Sequence, residues 1–357
     1  MKISGAQGII ECLLEQGVDT VFGYPGGRIL PLYDVIYEGK IRHILTVHEQ
    51  GAIHAADGYA RASGKVGVCI ATSGHNFLVK DAATLPEIMR FAFRIASSGR
   101  PGPVLIDIPS DIQTNLFTFT KEEDQEKNKP KIQWELSELG SSLIDKAVAV
   151  LESAKQPVMI VGGGVVSSGA YEQVVALAEK MNAPVVSTLM GLGSFSSEHP
   201  LFLGLTGMHG HKRANLAVHG ADVVIAIGSR FNDRVTGNKF KYAEGKTLIH
   251  IDVDPAELDK NVSTHIPLAG DVKQLVTTLH QRMKPLNSCL WWNVIQEWKQ
   301  EFAAKPDGND LSATWMLKQV AERTKGKPFI FATDVGQHQM WAAQNLHIET
   351  PRSWITS

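Results

Sequence analysis

The residues best suited to chemistry stand in one stretch, Val47-His-Glu-Gln-Gly-Ala-Ile-His-Ala-Ala-Asp-Gly-Tyr-Ala-Arg61. An extended run, Ile41-Arg-His-Ile-Leu-Thr-Val47, stops at His48-Glu49, and a helix of small residues follows at once. Ala52, Ala55, Ala56 and Ala60 let that helix pack closely, with Tyr59 and Arg61 completing it. Glu49 therefore falls at a strand-to-helix junction, where open α/β sheets hold their ligands. Flanked by apolar sequence, its carboxylate is expected to be partly desolvated with a raised pKa, which suits proton exchange with a bound heterocycle. The alternative is a carboxylate that merely caps the Gln50–Arg61 helix.

Two glycine-bearing turns flank that residue: Val21-Phe-Gly-Tyr-Pro-Gly-Gly27 upstream and Gly67-Val-Cys-Ile-Ala-Thr-Ser-Gly74 downstream. Gly26 and Gly27 serve either backbone turn geometry or close approach to a flat ring. From about Ser137 a second α/β pattern begins, with Gly or Asp at each strand end. Pro157–Val161, Pro184–Thr188, Asp222–Gly228 and Thr247–Ile251 read as its strands, and Ile144–Ser153 and Tyr171–Met181 as helices. Gly162-Gly-Gly164 can approach a pyrophosphate, and Asp252 or Asp254 can accept from a ribose hydroxyl. The three glycines do not fit G-x-G-x-x-G, so a Rossmann-like spacer without nucleotide is the competing reading.

These motifs must be positioned by a chain of 357 residues, enough for two domains or for two and part of a third. With 43% hydrophobic and 20% charged residues it can bury a full core, and a net charge of −2 gives no argument for nucleic acid or an anionic membrane. Cys12, Cys69 and Cys289 are odd in number and not spaced for metal; buried free thiols in a reducing compartment are expected. The N-terminus runs straight into an amphipathic helix over Ser4–Gln16 without a signal segment, and no apolar run is long enough for a membrane span. A cytoplasmic protein is expected.

The spacing divides the chain into 1–117, a charged linker at 118–136, a Rossmann-like 137–285, a connection at 286–326, and a strand and helix in 327–357. Leu85–Ala96 reads as a helix with Ile88, Phe91, Ala92 and Ile95 on one face. Trp291, Trp292 and Trp298 read as packed aromatics.

Glu49 and its two flanking turns resemble the pyrimidine-binding domain of thiamine-diphosphate enzymes. The closest resemblance is to the catalytic large subunit of acetolactate synthase (acetohydroxyacid synthase). It implies an α/β fold: a parallel-sheet pyrimidine-binding domain, a Rossmann-like central domain and the start of a third α/β domain. In that family the glutamate matching Glu49 bonds N1′ of the aminopyrimidine and favours its imino tautomer, whose nitrogen removes the C2 proton. Tyr24, Pro25, Gly26 and Thr72 would line the same cofactor. Gly162, Gly163, Gly164, Thr188, Leu189, Met190, Leu205, Met208, His209, Gly228, Arg230, Arg234, Val235, Asp252 and Val253 would hold FAD, usually described there as structural. Gly336, Gln337 and His338 would lie near the diphosphate.

The resemblance further implies Mg²⁺, pyruvate and 2-ketobutyrate as substrates, a second copy of the subunit completing the active site, and a regulatory small subunit. Arg28, Ser110 and Asn232 depart from the family pattern. So does the step from Gly74 straight into His75, where the family carries a helix and two further strands; an internal deletion is expected there. Gly-Asp-Gly, the start of the family's metal loop, is absent from the 357 residues, so no metal ligand is assigned. If the chain is complete as written, it is expected not to bind Mg²⁺–thiamine diphosphate productively. The competing readings are an inactive remnant that keeps an FAD-binding fold, or a sibling decarboxylase or ligase.

Overall fold

A computed structural model describes residues 1–72, 77–122, 138–286, 289–303 and 312–356. The chain divides into two units, Met1–Gln133 and Trp134–Ser357. Most of the expected linker, and the junction at Gly74-His75, lie outside the described residues.

The first unit begins with β1 (Lys2–Ser4) and α1 (Gly5–Glu15). The helix starts where it does because Ser4 and Gln7 cap each other. Ser4 Oγ accepts from the Gln7 N–H at 3.2 Å, and Gln7 Oε1 accepts from the Ser4 N–H at 3.0 Å. Then follow β2 (Thr20–Gly23), α2 (Leu30–Tyr37), β3 (Arg42–Leu45), α3 (Glu49–Ser63) and β4 (Val68–Ile70). The three strands make a parallel sheet in the order β3-β2-β4. A separate parallel pair joins β5 (Phe77–Leu78) to β6 (Ile106–Asp107), connected through α4 (Leu85–Ser97). α5 (Ser110–Thr114) leads to β7 (Leu116–Thr118), which returns antiparallel to β1.

Three expectations are corrected in this unit. In α4 Leu85, Pro86, Met89 and Ala92 are buried and Ile88 packs half-buried on the same core, while Phe91 and Ile95 of the expected face stand exposed. The helix carries two apolar arcs, and periodicity does not say which one finds a partner. Thr118 and Phe119, assigned to the linker, belong to the first unit: Phe119 is buried and its N–H donates to the Met1 carbonyl at 2.8 Å. Cys12 is a buried free thiol, held up at about 12 by burial, but Cys69 is only half-buried.

The second unit is a six-stranded, wholly parallel sheet in the order β10-β9-β8-β11-β12-β13. Its elements are α6 (Glu138–Ser153), β8 (Pro157–Val161), α7 (Gly163–Ser168), α8 (Tyr171–Met181), β9 (Val185–Ser187), β10 (Phe202–Leu205) and α9 (Lys212–Gly220). β11 (Val223–Ile227), α10 (Asp233–Thr236), α11 (Lys239–Tyr242), β12 (Thr247–Asp252), β13 (Ile266–Ala269) and α12 (Val272–Arg282) complete it. β8 and β11 are buried at every residue, as strands covered on both faces must be. One core, built on Met159, Ile225 and Ile249, lies on one side of the sheet; the other, built on Val158, Ile160 and Leu248, lies on the opposite side.

α13 (Cys289–Glu301) closes the second core. Trp291 donates its ring N–H to the Pro157 carbonyl at 3.2 Å and packs edge-on against Trp298, so the aromatics are packing residues. α14 (Ala313–Thr324) precedes β14 (Phe331–Thr333), α15 (Gln337–Asn345) and β15 (Trp354–Thr356). The last two strands pair in parallel, so the terminal segment is a β-α-β unit rather than the single strand and helix expected. Three residues of strand are too few to show an alternation in sequence.

Candidate functional site

In the first unit the sheet brings the expected residues to one edge. β2, β3 and β4 all end on the same side, and the chain leaves them at Tyr24, Thr46 and Ala71. The Tyr24–Gly26 turn is seated on the segment after β4: a Cβ on Gly26 would stand 2.5 Å from Thr72 Cγ2. Beneath the turn, Tyr33 Oη meets His43 Nε2 at 3.2 Å, a pair that the sequence did not single out. Burial pushes the Tyr33 hydroxyl up to about 12 and the His43 imidazole down. Thr46 binds the end of β2 through its N–H to the Gly23 carbonyl at 3.1 Å.

α3 starts directly at Glu49, because His48 caps it: Nδ1 accepts the Gln50 N–H at 3.0 Å. The helix thus leaves Glu49 available rather than using it as the cap. The Glu49 carboxylate faces β4 closely enough to add to burial in raising the Cys69 pKa. The expected desolvation is corrected. The Glu49 side chain is 39% exposed, because its apolar neighbours Leu45 and Val47 project outward instead of covering it. Tyr24, Pro25 and the half-buried Thr72 follow the strands that end at the same edge.

In the second unit the candidates again gather at the strand ends. The sheet order reverses between β8 and β11, the switch point at which open α/β sheets take ligands. There Gly162 and Gly164 lie backbone to backbone against Gly228: a Cβ on Gly164 would stand 2.5 Å from Gly228 Cα, and Gly228 has φ +59. These glycines are explained by helix-to-strand packing; of the three, Gly163 faces Met190 instead, and a Cβ on it would stand 3.2 Å from Met190 Cβ. Thr188 continues the ladder through its N–H to the Val161 carbonyl at 3.0 Å, and Leu189 follows half-buried.

A second group forms around the end of β10. The Met208 N–H donates to the Arg234 carbonyl at 2.7 Å, and Arg234 Nη1 reaches Met208 Sδ at 3.8 Å. Leu205, Met208 and His209 are thereby joined to Arg234 and Val235. Asn215 pins this loop from α9, accepting from the Gly207 N–H at 2.8 Å and donating to the Gly207 carbonyl at 2.9 Å. Gln344 donates to the His209 carbonyl, and its own carbonyl meets His211 Nε2 at 3.1 Å. Asn215, His211 and Gln344 were missed in the sequence, because their partners lie in other segments.

Arg230 is exposed, while Asp252 is buried at the end of β12 with Val253 half-buried beside it. Asp252 Oδ1 accepts the Asp254 N–H at 2.9 Å, and Asp254 Oδ1 accepts the Ala256 N–H at 3.0 Å, so both carboxylates shape the turn. Behind it, His250 donates to the Ser229 carbonyl at 2.7 Å and is held neutral by burial. Gly336, Gln337 and His338 begin α15, whereas the loop at His209 is met by Gln344 at its far end. Among the described residues no helix is long and apolar enough to cross a membrane.

Residues 3–79 match the family described as "Thiamine pyrophosphate enzyme, N-terminal TPP binding domain", and residues 144–279 match "Thiamine pyrophosphate enzyme, central domain". The chain is 39% identical to the acetolactate synthase isozyme 2 large subunit of Escherichia coli, over 99% of this chain and 72% of that protein. It is 39% identical to a probable acetolactate synthase large subunit of Methanocaldococcus jannaschii, over 99% of this chain and 70% of the relative. With the acetolactate synthase large subunit of Buchnera aphidicola subsp. Schlechtendalia chinensis the figures are 38%, 99% and 72%. The Escherichia coli alignment runs over 414 positions against 357 residues here, so at 57 positions or more the relative has a residue and this chain has none. With matches in both domains and relatives covered over more than two thirds of their length, the chain belongs to the acetolactate synthase large-subunit family of thiamine-diphosphate enzymes.

Proposed function

We propose that this chain serves as the large subunit of an acetolactate synthase. The reaction is the thiamine-diphosphate-dependent decarboxylation of pyruvate and condensation with a second 2-keto acid, pyruvate or 2-ketobutyrate, in branched-chain amino acid biosynthesis. The observation that carries the reading is Glu49 at the start of α3, left out of the cap by His48, on the sheet edge that also carries the Tyr24–Gly26 turn and Thr72. When bound, the cofactor supplies a stabilised carbanion. Tyr24, Pro25, Gly26 and Thr72 hold the flat ring, and Glu49 holds a proton-bearing hydrogen bond to a ring nitrogen. The cofactor ring itself would give Glu49 the desolvation that its own neighbours do not.

FAD fits the second unit along the ends of β8 to β12. Met190 and Met208 offer exposed thioether side chains for a flat ring, and Arg230 and Arg234 offer exposed cations for a diphosphate. Leu205, His209, Val235, Val253 and the glycines at 162–164 and 228 shape the channel. Gly336, Gln337 and His338 are assigned to the thiamine diphosphate phosphates. Gly-Asp-Gly is absent from the 357 residues, and none of these residues is assigned to Mg²⁺. A second copy of the chain completes the site beside Leu45 and Val47, and a small regulatory subunit and a cytoplasmic location follow from the same reading.

The shortfall of 57 positions favours a second reading, an inactive member that keeps the FAD fold. We place the missing residues between β4 and β5, because β5 pairs with β6 and not with the β3-β2-β4 sheet. Acetolactate formation from pyruvate, with thiamine diphosphate, Mg²⁺ and FAD supplied, decides between the two. Product formation supports the enzyme; FAD uptake without product supports the inactive member.

A further inference from the structure

One cluster of side chains in the second unit converges without a hydrogen-bonded solution. His347 and Glu349 follow α15 on either side of Ile348, which is buried in a core with Leu192 and Leu346. Along extended backbone, alternate side chains point opposite ways, so burying Ile348 turns His347 and Glu349 together toward the other side. The loop before β10 lies against this segment: the Ser197 N–H donates to the Ile348 carbonyl at 3.4 Å, which sets Glu198 opposite the pair. One ligand atom each from Glu198, His347 and Glu349 lies within 4.8 Å of the others.

These atoms do not satisfy one another. His347 Nδ1 stands 2.9 Å from Glu198 Oε1, yet out of line for a hydrogen bond. Nδ1, Glu349 Oε1 and the neighbouring Ser197 Oγ are buried with no hydrogen-bond partner. A buried carboxylate oxygen left in that state is costly unless a cation meets it. Two ligands of one metal ion, at bonds of about 2.0–2.2 Å, stand roughly 3 Å apart with their lone pairs aimed at the ion and not at each other. That is the relationship between Nδ1 and Oε1. Lys325 pairs with the other oxygen of Glu198, Oε2, at 3.4 Å, and so leaves Oε1 to the cluster. Two carboxylates against one lysine leave the group net negative when the imidazole is neutral.

We propose that Glu198, His347 and Glu349 form a binding site for a borderline divalent metal ion, Zn²⁺ or a first-row neighbour. One imidazole and two carboxylates suit those ions, whereas Mg²⁺ and Ca²⁺ take oxygen ligands. The ion ties the loop carrying Glu198 to the segment after α15, a structural role that shares no residue with the cofactor assignments.

The test titrates Zn²⁺ into the full chain and reads uptake by competition with a zinc-responsive dye, and the melting temperature in parallel. The wild type should bind one ion with a rise in melting temperature, as any ligand of the folded state produces. His347→Ala and Glu349→Gln should each weaken that binding at least tenfold and remove the rise, and Mg²⁺ should produce neither effect. Equal Zn²⁺ affinity in wild type and both variants, or no uptake by the wild type, overturns the proposal. Metal-free melts check that the variants fold; should His347→Ala fail, Glu198→Gln and His347→Gln give the same comparison.

Discussion

Gly26 and Thr72 are in such close contact that one methyl group would not fit between them: a Cβ on Gly26 would lie 2.5 Å from Thr72 Cγ2 and 3.0 Å from its Oγ1. This contact seats the Tyr24–Gly26 turn on the end of the sheet, the edge at which α3 begins with Glu49. Gly26→Ala should therefore push the turn off Thr72 and weaken thiamine diphosphate binding about tenfold. Thr72→Ser removes the nearer clash and should restore part of the affinity in the double variant. Cofactor titration across the four-protein cycle checks it; strictly additive effects would contradict the contact.

Gly228 carries two constraints at once, φ +59 and a Cβ that would come within 2.4 Å of Gly164 Cα. Gly228→Ala should cost about 3 kcal/mol of stability. Gly169 has a similar φ, +63, in the left-handed region with nothing within 4 Å, so Gly169→Ala should cost only about 1 kcal/mol. Urea unfolding of the two variants separates the packing contribution from the backbone one.

Glu15 is buried on α1 and held by Arg90 of α4, whose Nη2 lies 2.9 Å from Oε2 and 3.1 Å from Oε1. Arg90→Ala strands that carboxylate and should cost about 3–5 kcal/mol. Replacing both partners, as Glu15→Leu with Arg90→Met, should cost far less. Chemical denaturation distinguishes the two outcomes.

His43, His211 and His250 all have their pKa lowered by burial. Each is neutral in the folded protein, while in the unfolded chain each takes a proton near pH 6.5. The unfolded state then binds more protons, so stability is full above that pH and declines as the pH falls toward the folded values. Melting temperature should drop between pH 7.5 and pH 5, and His250→Gln should show a shallower slope.

Much of this was legible in the sequence for physical reasons. The alternation from extended apolar run to small-residue helix fixed Glu49 at a strand end, and the glycines at 162–164 and 228 marked a tight crossing. The crossing partner was not legible: the backbone of the turn after β11, at Gly228, closes on Gly162 and Gly164. The buried face of α4 was misread because Phe91 and Ile95 lie on an apolar arc that nothing among the described residues covers. Asn215, Gln344 and the Glu198–His347–Glu349 cluster depend on contacts between distant segments, which local patterns do not encode.

The central claim rests on Glu49, and its most direct test is turnover of Glu49→Gln beside wild type in the acetolactate assay. The amide keeps the size of the side chain and, at a site 39% exposed, leaves the fold in place. The account predicts at least a hundredfold loss of kcat with an unchanged melting temperature. Glu49→Gln turning over at the wild-type rate would contradict it.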